Sequence, residues 1–292
     1  MKKQPSDLLR AAVLGFTLAV GTVFDAAAQE LKSVVATWEK SLEGRIGIML
    51  RDTSENWEVA LRAQERFPMS STFKSLLCGA VLAHVDAGHE DLGRRIRYAE
   101  KDLVAHSPVT EQHLDTGLTI AELCKATITV SDNTAANLLL ETIGGPAGLT
   151  GYLREIGSKT TRLDRWEADL NQAMPGDPRD TTTPADILKT LERFLYGGVL
   201  KPESAAQLRQ WMIDDKVAET LIRPHVPDGW VIGDKTGAGG HGTRGIVAFL
   251  ETPQGDRYLA AIYLTENDAG FELRNQVISE IGHAMIAEIQ AR

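Results

Sequence analysis

Over "ELKSVVATWEKSLEG" (30–44), Leu31, Val34, Val35, Trp38 and Leu42 recur at the spacing of one helix face, with charged and hydroxyl side chains between them. The period then drops to two. "RIGIMLR" (45–51) and "WEVALR" (57–62) alternate around the turn "DTSEN", which predicts a β-hairpin. From Pro68 to about Trp211 the pattern is helical again. "STFKSLLCGAVLAHVDAG" stops at Gly88, "TIAELCKATITV" opens with Thr119 and Glu122 in capping-box spacing, and "DNTAANLLLETIGG" closes on a glycine pair. "WVIGDK", "GIVAFLE" and "YLAAIYLT" read as strands, the last two joined through "TPQGDR", and "FELRNQVISEIGHAMIAEIQ" as a closing helix. This order predicts an α/β (α+β) chain with two lobes. A five-stranded antiparallel sheet from both chain ends is covered by the terminal helices, and an all-helical lobe is inserted between strands two and three. The expected boundaries are about 29–62 and 213–292 for the sheet lobe and about 63–212 for the helical lobe, with a small-molecule cleft between them.

The N-terminus departs from this pattern. A basic lead, "MKKQPSDLLR", precedes the apolar run "AAVLGFTLAVGTVF" and small residues at Ala26 and Ala28. That order predicts a secretory signal over residues 1–28, cut after Ala28, too short to span a bilayer comfortably. The 29–292 product is expected to be a soluble periplasmic monomer. A net charge of −9 without a basic run longer than two residues argues against nucleic acid or an anionic membrane as its partner. The seven histidines make no H-x-x-x-H, H-x-H or Cys/His cluster, so no metal or other cofactor is expected. Two cysteines, Cys78 and Cys124, are an even count in an exported chain and predict one disulfide; two buried free thiols are the alternative.

The stretch "GDKTGAGGHGTRG" (233–245) places Gly237, Gly239 and Gly242 in G-x-G-x-x-G spacing. A Walker loop carries its lysine after the last glycine, but Lys235 precedes them. A dinucleotide fingerprint runs from strand into helix, whereas "TRGIVAFLE" continues as a strand. Both nucleotide readings fail on context. The glycines are expected instead to let the backbone turn tightly and approach a ligand closely.

Candidate chemistry begins at "SSTFK". Ser71 and Lys74 lie three apart, on one face of a helix that starts just after Pro68. A serine hydroxyl is a weak nucleophile that needs a neighbouring base, and a helix N-terminus adds free N–H groups beside it. "SDN" (Ser131–Asn133) and "KTG" (Lys235–Gly237) follow in order. S-x-x-K, SDN and KTG together form the signature of class A β-lactamases and penicillin-binding proteins. The chain resembles a class A serine β-lactamase along nearly all of its mature length, through "SPVTEQHL", "TRLDRWEADLN" and "RDTTTPADI" as well.

The resemblance implies a role for each matching residue. Ser71 would be acylated by the lactam, with its own N–H and that of Ala238 as oxyanion hole. Lys74 would take or relay the serine proton. Ser131 would pass a proton to the ring nitrogen, and Asn133 would bind the substrate's side-chain amide. Lys235, Thr236 and Arg244, beside Gly237, would hold the substrate carboxylate. Glu167 and Asn171 would position the water that releases the acyl group, with Arg165 and Asp180 clamping their Ω-loop. The implied activity is hydrolysis of penicillins and some cephalosporins, conferring antibiotic resistance. A cell-wall D,D-peptidase and a non-catalytic β-lactam sensor share the nucleophile, but Glu167 and Asn171 weigh against both. Four positions depart from common family patterns: Ala168 where many members have proline, His106 where many have an aromatic at the cleft edge, and Ser70 and Gly239 where carbapenem-hydrolysing members often pair cysteines.

Overall fold

The computed structural model describes residues 27–55 and 57–292. The predicted leader lies outside them except for Ala27 and Ala28, which belong to helix α1 (27–42). The hairpin strands are β1 (Arg45–Asp52) and β2 (Glu58–Leu61). Short β3 (Phe67–Pro68) precedes the long α2 (Phe73–Asp86). After β4 (Arg95–Ile96) and β5 (Leu118–Thr119) come α3 (Ile120–Thr129), α4 (Asn133–Thr142) and α5 (Gly145–Glu155). Next are β6 (Thr181–Thr182), α6 (Pro184–Leu195) and α7 (Pro202–Ile213). The chain closes with β7 (Val231–Ala238), β8 (Arg244–Glu251), β9 (Arg257–Thr265) and α8 (Phe271–Gln290).

The main sheet has the order β2-β1-β9-β8-β7, every neighbouring pair antiparallel. β1 and β9 pair along their full length, Ile48 opposite Ile262, so the two chain ends meet at the middle of the sheet. Strand alternation then separates two cores. Ile46, Ile48 and Leu50, with Ile246, Ala248, Leu250, Ile262 and Leu264, pack against Leu31 and Val35 of α1 and Val277, Ile281 and Met285 of α8. Met49, Val247, Phe249, Leu259, Ala261 and Tyr263 face the other way and join the helical lobe. One face thus docks the terminal helices and the other the insertion.

α2 runs through the centre of that insertion, buried from Phe73 to Leu82. A helix covered on all sides has no solvent face, and this puts Lys74 on its first turn out of reach of bulk water. The predicted cap of α3 forms, with Glu122 N donating to Thr119 Oγ1 at 3.2 Å and Thr119 N to Glu122 Oε2 at 2.7 Å. The insertion is not wholly helical. β4 pairs with β5, and β3 with β6, two-residue ladders too short to register as alternation. The β3–β6 ladder ties the chain just before Ser71 to the end of the loop that carries Glu167.

The disulfide expectation is corrected. Cys78 on α2 and Cys124 on α3 are both buried and free, and the Cys78 thiol points at the Cys124 carbonyl oxygen, 3.7 Å away. They act as small apolar side chains in the α2–α3 contact. Burial, then the neighbouring Cys78, pushes the Cys124 thiol well above its ordinary pKa and keeps it protonated.

Candidate active site

Ser71 sits in one 3₁₀ turn, Ser70–Thr72, that feeds directly into α2. Ser70 holds a positive φ of 43°. Thr72 fixes the turn from below, its hydroxyl donating to Met69 O at 2.8 Å and lying 2.8 Å from the Tyr263 hydroxyl. β7 presses on the turn from the side. A Cβ on Gly237 would stand 2.7 Å from Met69 O and 3.0 Å from Ser71 N. Gly242, with a positive φ of 69°, makes a tight turn as expected, and Gly237 lines the cleft, while the place of its missing Cβ is filled by the chain itself. A Cβ on Gly239 would meet Ser70 Oγ at 2.7 Å and Asn171 O at 2.8 Å, and one on Gly240 would meet Gln172 O at 2.5 Å. Gly237, Gly239 and Gly240 bring nucleophile turn, strand and loop together.

Behind Ser71 lies a buried ionic cluster. Lys74 Nζ is 3.0 Å from Glu167 Oε1, and both side chains are fully buried. Nζ also donates to Ser131 O at 2.8 Å, to Asn133 Oδ1 at 2.5 Å and, more weakly, to Ser131 Oγ at 3.3 Å. Burial lowers the Lys74 pKa, and the Glu167 carboxylate opposes that shift. Ser71 Oγ reaches Glu167 Oε1 at 3.5 Å. Asn171 Nδ2 donates to Glu167 Oε2 at 2.5 Å, while Asn171 Oδ1 is buried with no acceptor role among the described residues.

Two devices hold Glu167 in place. Asn137, one turn beyond Asn133 on α4, grips its backbone: Glu167 N donates to Asn137 Oδ1 and Asn137 Nδ2 to Glu167 O, both at 2.9 Å. Sequence reading missed Asn137, although the i, i+4 asparagines of "NTAAN" carry the signal. Asp180 closes the loop, accepting from Asp164 N at 2.7 Å, Arg165 N at 2.9 Å and Arg165 Nε at 2.6 Å. The expected Arg165–Asp180 pair is therefore present, with Asp180 itself buried. The Glu167–Ala168 peptide is cis without a proline. Asp132 positions the SDN turn from the other side. It caps α4 through Ala135 N at 2.8 Å and accepts from Val109 N and Thr110 N at 3.0 and 2.9 Å.

The far wall is cationic. Lys235 is fully buried on β7, and burial drops its pKa to about 8 against the opposing pull of Asp215. Arg244, opposite Ala238 on β8, donates Nη1 to Gly237 O at 3.0 Å and Nε to Asn275 Oδ1 at 2.8 Å. Burial and then Arg274 lower its pKa to about 10. Asn275 was not found from the sequence; it becomes meaningful only once α8 is placed beside β8. Asp234 is also buried, paired with Arg223 at 2.9 Å, and desolvation raises its carboxyl to about 8.

These walls enclose a cleft of 380 Å³ into which Ser71, Ser131, Asn133, Asn171, Thr236 and Arg244 all face, with Gly237 and Ala238 on the strand edge. His106 stands at the rim with a positive φ of 62°, its Nε2 3.0 Å from Val130 O. A groove of 600 Å³ around Glu43, His241 and Glu266 is larger, so chemistry rather than size marks the site. Among the described residues no group of three His, Cys, Asp or Glu side chains is arranged to hold a metal.

The fold is that of a class A β-lactamase, as comparison with known proteins shows. The model of the β-lactamase enzyme family matches residues 26–289. A reconstructed class A β-lactamase of the last common ancestor of Gram-negative bacteria is 50% identical, covering 90% of this chain and 99% of its own, with a TM-score of 0.86. Another ancestral class A structure is 49% identical over 89% of this chain and 99% of its own, again at 0.86. A doubly substituted form of the ancestor, bound to the transition-state analogue 5(6)-nitrobenzotriazole, is 49% identical over 90% of this chain and 99% of its own, at 0.86. The chain belongs to the β-lactamase enzyme family, and within it to class A.

Proposed function

We propose that this enzyme hydrolyses penicillins and some cephalosporins through an acyl-enzyme on Ser71, acting as a periplasmic monomer with no partner but its small-molecule substrate. The observation that carries the reading is the contact chain Ser71–Glu167–Lys74–Ser131 at the foot of one cleft. Ser71 Oγ attacks the lactam carbonyl carbon. Lys74 Nζ already donates to Ser131 O, Asn133 Oδ1 and Glu167, so as an ammonium it has no lone pair to offer. Glu167 Oε1 is then the acceptor for the serine proton. The N–H groups of Ser71 and Ala238 stabilise the oxyanion, and the C–N bond breaks as Ser131 Oγ protonates the leaving nitrogen. Lys74 resupplies Ser131, and its own proton returns through Glu167. A water donating to Asn171 Oδ1 and Glu167 then attacks the ester. Glu167 takes its proton and passes it to Ser71 Oγ, which leaves as the alcohol; the carboxylate is restored and the product acid departs.

Lys235 and Arg244 supply the cations of the wall facing Ser71 and Thr236 adds a hydroxyl in the cleft, so these three hold the substrate carboxylate. Asn133 spends Oδ1 on Lys74 and one Nδ2 hydrogen on Ala105 O, which leaves the other hydrogen for a substrate amide carbonyl. Initial rates on a panel of penicillins and cephalosporins test the reading. Turnover of at least one class, falling about 1000-fold or more in Ser71→Ala, is expected. A Ser71→Ala variant as fast as the parent would refute it.

A further inference from the structure

The cleft has an apolar rim on its cationic side that the mechanism above does not use. Phe271 opens α8 and is, at 47%, the most exposed large apolar side chain among the described residues, yet it lines the active-site cleft. Val217, 38% exposed, lines the same cleft from the chain after α7. Helical spacing puts Phe271, Arg274 and Asn275 on one face of the first turn of α8. That face meets Arg244: Asn275 accepts from its Nε, and the Arg244 guanidinium carbon lies 5.1 Å from the Phe271 ring centroid. The Arg274 guanidinium lies 5.6 Å from the same centroid, and its Nη1 is tied to Thr243 O at 3.0 Å. Two tethered cations therefore fix the ring by cation–π contact beside the carboxylate-binding arginine. An exposed aromatic held this firmly next to a charged anchor is the arrangement that binding sites use for a flat apolar group.

We propose that Phe271, with Val217, is a specificity-determining residue that favours β-lactams bearing an aromatic substituent on the ring carbon next to the one that carries the carboxylate. The proposal rests on the reading that Lys235 and Arg244 hold that carboxylate. With the carboxylate on Arg244, the exposed ring, 5.1 Å from that guanidinium carbon and lining the same cleft, is within reach of a substituent on the adjacent carbon. Covering part of the ring is worth about five- to tenfold in affinity at ordinary apolar transfer values. Two cephalosporins with one acyl side chain, one bearing an aryl-vinyl group at that carbon and the other a methyl, separate the possibilities.

In Phe271→Ala the KM for the aryl-vinyl substrate rises about five- to tenfold at nearly unchanged kcat, while the methyl substrate changes less than twofold. Phe271→Leu, still apolar, recovers part of the loss. If both KM values rise together, Phe271 only props Arg244 and the proposal falls. If neither moves, the ring touches no substrate and the proposal falls again. Failure of the parent enzyme to turn over either cephalosporin or a penicillin overturns the site reading itself, and this inference with it.

Discussion

Lys235 is a charge that the protein keeps only partly. With its pKa lowered to about 8 by burial, it is an ammonium below that pH and loses its proton as pH rises through it. kcat/KM reports ionisations of the free enzyme, so its alkaline limb is expected near pH 8 for substrates that carry the carboxylate. Lys235→Arg, whose guanidinium stays charged, moves that limb upward. An unchanged limb in the variant would assign it to another group, Lys74 first. At this scale the sequence was legible where a motif is local. Ser71 and Lys74 are one turn apart, and Ser131 and Asn133 share one tripeptide, so the family signature could be read as short local strings. Asn137 and Asn275 escaped because their partners, the backbone of Glu167 and the side chain of Arg244, lie 30 and 31 residues away along the chain. The turn at Gly242 was legible, but the segments packed against Gly237, Gly239 and Gly240 show only in the fold.

At the scale of elements, the loop that carries Glu167 is held at both ends by buried aspartates. Asp180 closes it through three donors, and Asp180→Ala should cost about 2–3 kcal/mol of unfolding free energy, read from denaturant melts. The same variant should lose kcat more than it raises KM, because the loop places Glu167, the carboxylate proposed to drive deacylation. Asp186, in the first turn of α6, anchors the chain entering the loop by accepting from Ser158 Oγ, Lys159 N, Thr160 N and Thr161 N. Burial raises its pKa, but these bonds outweigh burial and hold the carboxyl well below the usual range. A depressed carboxyl pKa stabilises the fold fully above the unfolded value, about 4, and the contribution fades as pH falls below it. Asp186→Asn should therefore be less stable at neutral pH, with a shallower loss of stability below pH about 4. Parallel acid melts of the two proteins would contradict this. The loop's anchors were half legible, Arg165 and Asp180 by opposite charge, Asp186 not at all, because its partners are mostly backbone amides.

For the whole molecule, alternation and helical period were enough to anticipate a sheet built from both chain ends with a helical insertion between its second and third strands. The small ladders and the free thiols were not, since two residues carry no period and pairing depends on how α2 meets α3. Export belongs to this scale too. Among the described residues no helix is long and apolar enough to cross a membrane. Expressed with its own N-terminus in a Gram-negative host, the protein should be recovered from the periplasm beginning at Gln29, checked by N-terminal sequencing. A full-length product in the cytoplasm would contradict the predicted leader.

The account depends most on Glu167 releasing what Ser71 captures. Intact-mass spectrometry of Glu167→Ala mixed with a penicillin measures this directly. Acylation has lost its carboxylate and slows, but deacylation slows further, so the variant should accumulate a stable adduct of one penicillin mass that is absent from Ser71→Ala. A Glu167→Ala enzyme that turns over at the parent rate without holding an adduct, or an adduct that persists in Ser71→Ala, would contradict it.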